Sequence, residues 1–534
     1  MFRADIETAV KDALAALGVG EASFVVERPA DMAHGDYSTN AAMVARVDAD
    51  ELANVLKGKL SFVERIEVAG TFVNFFLSRD AVVAEVHKAA SDGEWGKNDL
   101  YAGKKIMVEY TDPNPFKEFH IGHLMGNVLG ESLARLFVAS GAHVERANYQ
   151  GDVGVHVAKA IWGKMHPPAG GAQFSWGEAY VYGSNEYEAH KEEIDALNKT
   201  IYEKSDAHVN TLYDEGRTQS LAHFEQMYKK LGTKFDHYFF ESETGPVGLQ
   251  LVKAHPEVFE ESEGAIVFKG EQYGLHTRVF VNSKGLPTYE AKELGLAEAK
   301  KEKGEYDLSI TVTAREIQEY FKVVRVAAEK IFPDLEGRMV GWFHGFLKLT
   351  SGKMSSRLGN VITGELLLED VTRAARGRED VAVGAIKYAI LRQGSGRDII
   401  FDPEKSLSLE GDSGPYLQYA LVRARSLIKA TKVAGIECWT SDVQHSKMSE
   451  KEFVLARILL HFPETLARAA KEMEPHFVTT YLTEVASAFN SWYANERVIV
   501  AGKVSSHVLD LVGAIEQTLA KGLQVLGIPT PEEM

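Results

Sequence analysis

The chain has 534 residues, 25% charged and 45% apolar, a length beyond what one hydrophobic core serves, so two to four domains are expected. Asp and Glu number 76 against 59 Lys and Arg, a net charge of −17, which excludes a surface that binds polyanions indiscriminately and requires any nucleic-acid contact to be local. One cysteine, Cys438, excludes an internal disulfide and multi-cysteine zinc modules; with no apolar run near the ~18–20 residues that cross a bilayer and an acidic first helix (Asp5, Glu7, Asp12) unlike a secretory signal, a cytoplasmic protein without a membrane partner is expected.

In chain order, residues 1–95 read as a small α+β unit: an amphipathic helix, a turn-rich stretch at 29–37, a second helix, and the alternating run 71–77, which has strand periodicity. Residues 105–110 form a short apolar run of the kind found in buried parallel strands. After a loop, apolar positions recur at helical spacing from Leu124 to Ser140, Gly141 closes the helix, and 144–149 reads as the next strand, a βαβ opening. Residues of about 160–240 look like a polar helical insertion. The second half of the sheet is expected to draw strands from 265–268, 278–281 and 308–312. From Ser406 onward only helical periodicity remains. The expected architecture is a doubly wound parallel-sheet (Rossmann-type) α/β domain over 96–402, preceded by the small N-terminal domain and followed by an all-α bundle over 403–534.

Two constellations carry chemistry. The loop after the first strand ends in His120-Ile121-Gly122-His123 at a helix start, where free backbone N–H groups and the helix dipole favour phosphate. Histidines at i and i+3 share one face, and Gly122 lets a flat base approach the backbone. That pattern suits holding a nucleoside triphosphate and donating to its α-phosphate; taken singly it also fits two surface histidines capping a helix. Far downstream, Gly352-Lys353-Met354-Ser355-Ser356-Arg357 is a small-residue loop with a cation near each end. Lys353 and Arg357 suit the β- and γ-phosphates of a departing pyrophosphate, and Ser355 and Ser356 allow the loop to close.

This ordered pair, HxGH then KMSxR, resembles the two signatures of class I aminoacyl-tRNA synthetases. More closely, the chain resembles arginyl-tRNA synthetases over nearly its whole length: Asp112-Pro113-Asn114 with Lys117 before the first signature, Asn148-Tyr149-Gln150-Gly151-Asp152-Val153-Gly154, and Gly414-Pro415-Tyr416-Leu417-Gln418-Tyr419-Ala420-Leu421-Val422-Arg423. The resemblance implies an arginine–tRNA ligase that uses ATP and Mg²⁺, with tRNA(Arg) and L-arginine as partners, and little arginine activation without tRNA. It makes His120, His123, Lys353 and the auxiliary Lys117 the catalytic set, with Gly122, Met354, Ser355, Ser356 and Arg357 also on ATP. Asn114 and Glu241 match residues holding the α-amino end of arginine. Tyr289 matches the tyrosine on its guanidinium, and Glu293 stands where the family has an aspartate. A carboxylate there suits bidentate guanidinium recognition. The family's arginine-contacting glutamine falls on Ile317, so Glu316 or Gln318 substitutes or the contact is missing; Val153 and His156 replace a tryptophan and a glutamine.

For RNA, Tyr416, Tyr419 and Arg423 share one helix face, and Phe489, Trp492 and Tyr493 make a second aromatic group; rings with an Arg plane suit unstacked anticodon bases, although aromatic stripes in a bundle also serve as core. Met534 and Asn74 match tRNA-contacting positions, Asn74 being equally a polar residue on an exposed strand face. Arg373, Arg376 and Arg378, or Arg423 and Arg425, are candidate phosphate contacts. A monomer is expected. Two rivals stand: an HxGH nucleotidyltransferase of another substrate, disfavoured by the long helical C-terminus, and a non-catalytic RNA-binding paralogue, disfavoured by two intact signatures.

Overall fold

A computed structural model describes residues 2–167, 174–350, 363–433, 437–439, 448–496, 498–499 and 503–534. Its centre is a five-stranded, wholly parallel sheet of β1 (Lys105–Glu109), β2 (His143–Gln150), β3 (His237–Phe240), β4 (Leu308–Ala314) and β5 (Met339–His344), in the order β5-β4-β1-β2-β3. Ile106, Met107 and Val108 of β1 are fully buried, as a central strand covered on both faces requires. The chain runs outward from β1 in one direction through β2 and β3, then restarts beside β1 with β4. The carboxyl ends of β1 and β4 therefore flank the topological switch point, where open α/β sheets bind ligands.

Helix α1 (Ile121–Ala139) follows β1 directly. The expected insertion is helical throughout its described residues, from Val155–Met165 to Ala207–Leu231. It has its own core of Phe116, Val157, Ile161, Trp162, Trp176 and Ile194. Two expected strands belong elsewhere: Ala265–Phe268 and Arg278–Val281 pair antiparallel with each other, and Glu260–Ser262 joins them in a separate three-stranded sheet. The connection between the first two is too short for the dozen-residue crossover that parallel neighbours need. Helices α2 (Glu241–Ala254), α3 (Tyr289–Lys303) and α4 (Gln318–Ile331) complete the second half.

The N-terminal unit is a four-stranded antiparallel sheet, with Phe72–Leu77 between Tyr37–Thr39 and Val63–Ala69. The C-terminal region is helical as expected, apart from a parallel pair of three-residue strands, Glu437–Trp439 and Lys503–Ser505. These two end regions are tied together. Arg28 forks onto both oxygens of Glu484 at 2.8 and 2.6 Å, Arg457 pairs with buried Asp36, and Trp95 Nε1 donates to Thr518.

The C-terminal region is also fastened to the catalytic domain. Lys387, 1% exposed, donates to the carbonyls of Leu231 and Gly527, each at 2.6 Å. Arg135 of α1 reaches Gln524 O and Gly232 O and pairs with Glu131. These donors fill the carbonyl ends of the helices Ala207–Leu231 and Ser506–Val525, where acceptors lack intrahelical partners.

Candidate active site

At the switch point, a cleft of about 500 Å³ is lined by the strained loop after β1, the first turns of α1 and the ends of β4 and β5. The loop bends through left-handed backbone at three non-glycine residues, Thr111 (φ 82°), Asp112 (φ 44°) and Phe116 (φ 70°). Such conformers cost ~1–3 kcal/mol each and persist only where surroundings impose them. Here Asn127 donates to Thr111 Oγ1 at 3.0 Å, the Tyr149 N–H donates to Asp112 Oδ1 at 2.8 Å, and the Phe116 N–H donates to Ser220 Oγ at 2.9 Å. The result is that Asn114 and His120 stand on the cleft wall.

His120 is the N-cap of α1. Its Nδ1 accepts the N–H groups of Gly122 (3.1 Å) and His123 (3.3 Å), while His123 Nδ1 accepts the N–H of His120. The rings stack with centroids 3.5 Å apart. Burial and then nearby Lys117 push His120 down to about 4. Burial, His120 and Lys117 hold His123 well below the usual range. Both imidazoles are therefore neutral at pH 7, and because each Nδ1 accepts, each proton is assigned to Nε2. The pair offers two neutral N–H donors at a helix N-terminus, the arrangement the sequence suggested, with the reciprocal cap as an added reason for the i, i+3 spacing. Gly122 and Gly126, about one turn apart, leave the wall without side chains there. His344 was not foreseen: it lines the cleft, and its Nδ1 is 2.8 Å from Gly345 O, so Nδ1 carries the proton and Nε2 is left as an acceptor.

Lys353, Met354, Ser355, Ser356 and Arg357 lie outside the described residues. The residues that follow them are anchored beside the histidines: Thr363 bridges to His120, and the Gly364 N–H donates to Phe119 O at 2.6 Å.

A second group of side chains converges next to the cleft. A Cβ on Gly151 would stand 2.4 Å from Asn114 Oδ1 and 3.3 Å from Glu241 Oε1, so this glycine lets the two acceptors approach each other. Asp152, fully buried, accepts from the Ser242 N–H (2.8 Å), Ser242 Oγ, Tyr213 and Arg217, fixing the first turn of α2 and with it Glu241. Lys292, also unforeseen, pairs with Glu241 at 2.5 Å, and Tyr289, 62% exposed, has its ring 5.1 Å from the Lys292 ammonium. Glu293 shares its surroundings with Glu109 and Asp112. Burial and then Glu109 raise Glu293 to about 8 and Asp112 well above the usual carboxylate range. Lys300 answers Glu109 at 2.7 Å. Glu293 and Asp112, raised by burial and by Glu109 despite Lys300 nearby, are suited to a cationic ligand that would favour their ionised forms.

Glu316 lines the cleft beside the histidines, whereas Gln318 opens α4 and Ile317 closes the preceding 3₁₀ turn, neither on the cleft lining. His156 holds the glycine-rich turn by hydrogen bonding to Gly151 O at 2.8 Å, and Val153 joins the insertion core.

In the C-terminal region, Arg423 lies between the rings of Tyr419 (4.6 Å) and Tyr493 (5.0 Å) and donates to Asn490 Oδ1 at 2.7 Å. Tyr416 packs partly buried against the core and Met534 is 38% exposed. Phe489 and Trp492 are core, at 0% and 3% exposure, so the second aromatic group reduces to Tyr493. Three of the candidate phosphate contacts are otherwise engaged: Arg373 pairs with Asp370, Arg378 with Asp380 and Glu533 O, and Arg425 with Glu516, Glu532 and the carbonyls of Thr530 and Pro531. Asn74 is 4% exposed, mid-sheet between Ser38 and Glu67, not on an open strand face.

A parallel sheet with a paired-histidine helix start at its switch point and a helical C-terminal domain is the arrangement of a class I aminoacyl-tRNA synthetase. Comparison with known families narrows this. Residues 85–402 match the tRNA synthetases class I (R) catalytic domain, residues 4–77 the arginyl tRNA synthetase N terminal domain, and residues 417–534 the DALR anticodon binding domain. The arginine–tRNA ligase of Clostridioides difficile (strain 630) is 28% identical with all of both chains covered, and that of Clostridium beijerinckii is 30% identical over 96% of each. The solved arginyl-tRNA synthetase of Thermus thermophilus superposes with a TM-score of 0.83 at 26% identity, covering all of both chains. The chain belongs to the arginyl-tRNA synthetase family.

Proposed function

We propose that the cleft joins arginine to ATP and passes the arginyl group to the 3′-terminal ribose of tRNA(Arg). An arginine carboxylate oxygen attacks the α-phosphorus of ATP, and the bond from that phosphorus to the bridging oxygen of the β-phosphate breaks, giving arginyl-adenylate and pyrophosphate. A ribose hydroxyl then attacks the adenylate carbonyl, its proton is lost, and AMP leaves. No protein nucleophile is needed; the protein supplies orientation and charge stabilisation.

The observation that carries this reading is the neutral, stacked His120–His123 pair at the N-terminus of α1. Its Nε2–H groups donate to the α-phosphate without adding a titrating charge. Lys117 and the loop cations Lys353 and Arg357 act on the phosphates, with Met354, Ser355 and Ser356 completing that loop. Among the described residues no group of three His, Cys, Asp or Glu side chains is placed to hold a metal ion; Mg²⁺ enters as MgATP, on the phosphate oxygens of the substrate. Asn114 and Glu241 take the α-ammonium of arginine, and Tyr289 and Glu293 its guanidinium. Tyr419, Arg423 and Tyr493 stack anticodon bases, with Tyr416 and Met534 as further tRNA contacts, whereas Asn74, buried in mid-sheet, supports the N-terminal sheet rather than touching RNA itself.

No helix among the described residues is long and apolar enough to cross a membrane; a cytoplasmic monomer accords with the reading. The test is charging of total tRNA with each labelled amino acid in turn, by the parent and by Lys353→Ala. Arginine alone is expected to be charged, and the variant to lose most of the rate. Charging of lysine or cysteine instead would refute the specificity, and an unchanged variant would remove Lys353 from the mechanism.

A further inference from the structure

Helices α2 and α3 cross without room for side chains: a Cβ on Gly248 would come 1.7 Å from Ala291 O, and one on Gly295 would come 2.0 Å from Thr244 O. This close crossing sets the first turns of the two helices side by side. The Lys292 stem lies over Gly245, its Cγ 3.7 Å from where a Cβ would be, and its ammonium reaches Glu241 Oε2 at 2.5 Å, with side chains only 6% and 9% exposed. The other oxygen, Oε1, is on the Gly151 side, where Asn114 Oδ1 converges with it. The Glu241 carboxylate is thus divided, one oxygen held from α3 and the other turned toward Asn114.

We infer that Lys292 is a positioning residue for arginine's α-amino group: it holds one oxygen of Glu241 so that the other, together with Asn114 Oδ1, receives the substrate ammonium. This rests on the reading of Glu241 and Asn114 given above. Two features support it. The helix crossing leaves Lys292 little freedom, so the pair is built rather than incidental. Burial pushes Glu241 up, against the pull of Lys292, and a carboxylate that deep stays ionised for a ligand only with a cation fixed beside it. Burial works against the Lys292 charge too, but Glu241 and Tyr202 together more than offset it and Lys292 is raised. The other groups facing the pair are Tyr149 of β2, Asp152 from the turn after it, His156 from the helix that follows, Lys117 from the loop after β1, Tyr202 from the insertion, Tyr289 with the more distant Glu293 from α3, and Tyr320 of α4.

The experiment is steady-state aminoacylation with saturating tRNA and ATP, for the parent, Lys292→Met, Lys292→Arg and Glu241→Gln, between pH 6.5 and 8.5. Lys292→Met is expected to raise KM for arginine about tenfold, the worth of one hydrogen bond to a charged group, with kcat and KM for ATP little changed. Its deficit shrinks as pH rises and Glu241 ionises unaided, and Lys292→Arg restores most of the affinity. Glu241→Gln raises KM at every pH. A Lys292→Met enzyme with unchanged KM overturns the inference, as does one with lower KM, which would make Lys292 a competitor of the substrate. A deficit that does not vary with pH and is not rescued by arginine also overturns it, leaving Lys292 a packing residue. An unaffected Glu241→Gln enzyme refutes the underlying assignment of Glu241 instead.

Discussion

Replacing Lys387 by methionine tests whether a buried amine fastens the C-terminal region to the catalytic domain. Burial, and then the neighbouring Arg135 charge, push Lys387 down to about 7 from its ordinary 10.5. At 1.36 kcal/mol per pH unit, that difference makes its protonation cost the fold up to ~5 kcal/mol. The unfolded chain binds a proton that the fold excludes, so this contribution to stability is complete above 10.5 and is lost as pH falls toward 7. Between pH 7 and pH 9 the linkage recovers ~2 kcal/mol. Methionine removes the titration and leaves the carbonyls of Leu231 and Gly527 without their donor, each costing ~1–3 kcal/mol. Near pH 7 the two effects largely cancel and the variant stays within ~2 kcal/mol of the parent; by pH 9 the parent gains a further ~2 kcal/mol over it. Urea midpoints of both proteins at the two pH values measure the gap, and groups that titrate in both chains drop out of the difference. A gap that does not widen with pH would refute the reasoning.

Further outcomes follow from the site. His120→Ala removes one N–H donor and the helix cap: kcat should fall ~10²–10³-fold and stability by ~1 kcal/mol, read by pyrophosphate exchange in the presence of tRNA and by thermal melting. Because His120 sits at about 4, the parent's rate should show no His120-dependent fall between pH 8 and pH 5.5. With Glu293 near 8 in the free enzyme, arginine binding at pH 7 should release a proton and tighten as pH rises toward 8; titration calorimetry in buffers of different ionisation enthalpy checks this, and Glu293→Gln should abolish the release while raising KM for arginine. Arg423→Met should raise KM for tRNA about tenfold with the arginine and ATP constants unchanged, since a stacked base is worth ~1–3 kcal/mol.

The βαβ opening was legible because β1 is an uninterrupted apolar run and Gly141 ends α1 where the periodicity stops. The strands at 265–268 and 278–281 were legible as strands but not as members of a second sheet, because apolar alternation says nothing about which edge a strand pairs with. In the site, HxGH announced a phosphate-binding helix start. Its reciprocal cap and the neutrality of both rings depend on burial by Phe119 and neighbouring elements, which no spacing reveals. Lys292 was missed although it lies three residues after Tyr289 and one before Glu293, because its partner Glu241 is on another helix and only the Gly248–Gly295 crossing brings them together. The same limit divided Phe489 and Trp492 from Tyr493: three aromatics in five residues look alike until the bundle decides which faces inward.

The ion pairs that join the two ends of the chain bear on its synthesis. Asp36 and Arg457 are separated by 421 residues, and Arg28 and Glu484 by 456. At ~5–20 residues per second, the N-terminal sheet waits roughly 20–80 s on the ribosome before its partner surface exists. During that interval the carboxylate of Asp36 keeps the Leu77 N–H of its own sheet but lacks Arg457, and the hydroxyl of Tyr37, which donates to Glu464 in the finished protein, has only water or a chaperone to satisfy it. Closing so long a loop carries an entropic cost that rises only slowly with its length, so the union is set by timing more than by energy. A pause late in translation would therefore prolong the time for which the N-terminal sheet stands without its partner surface.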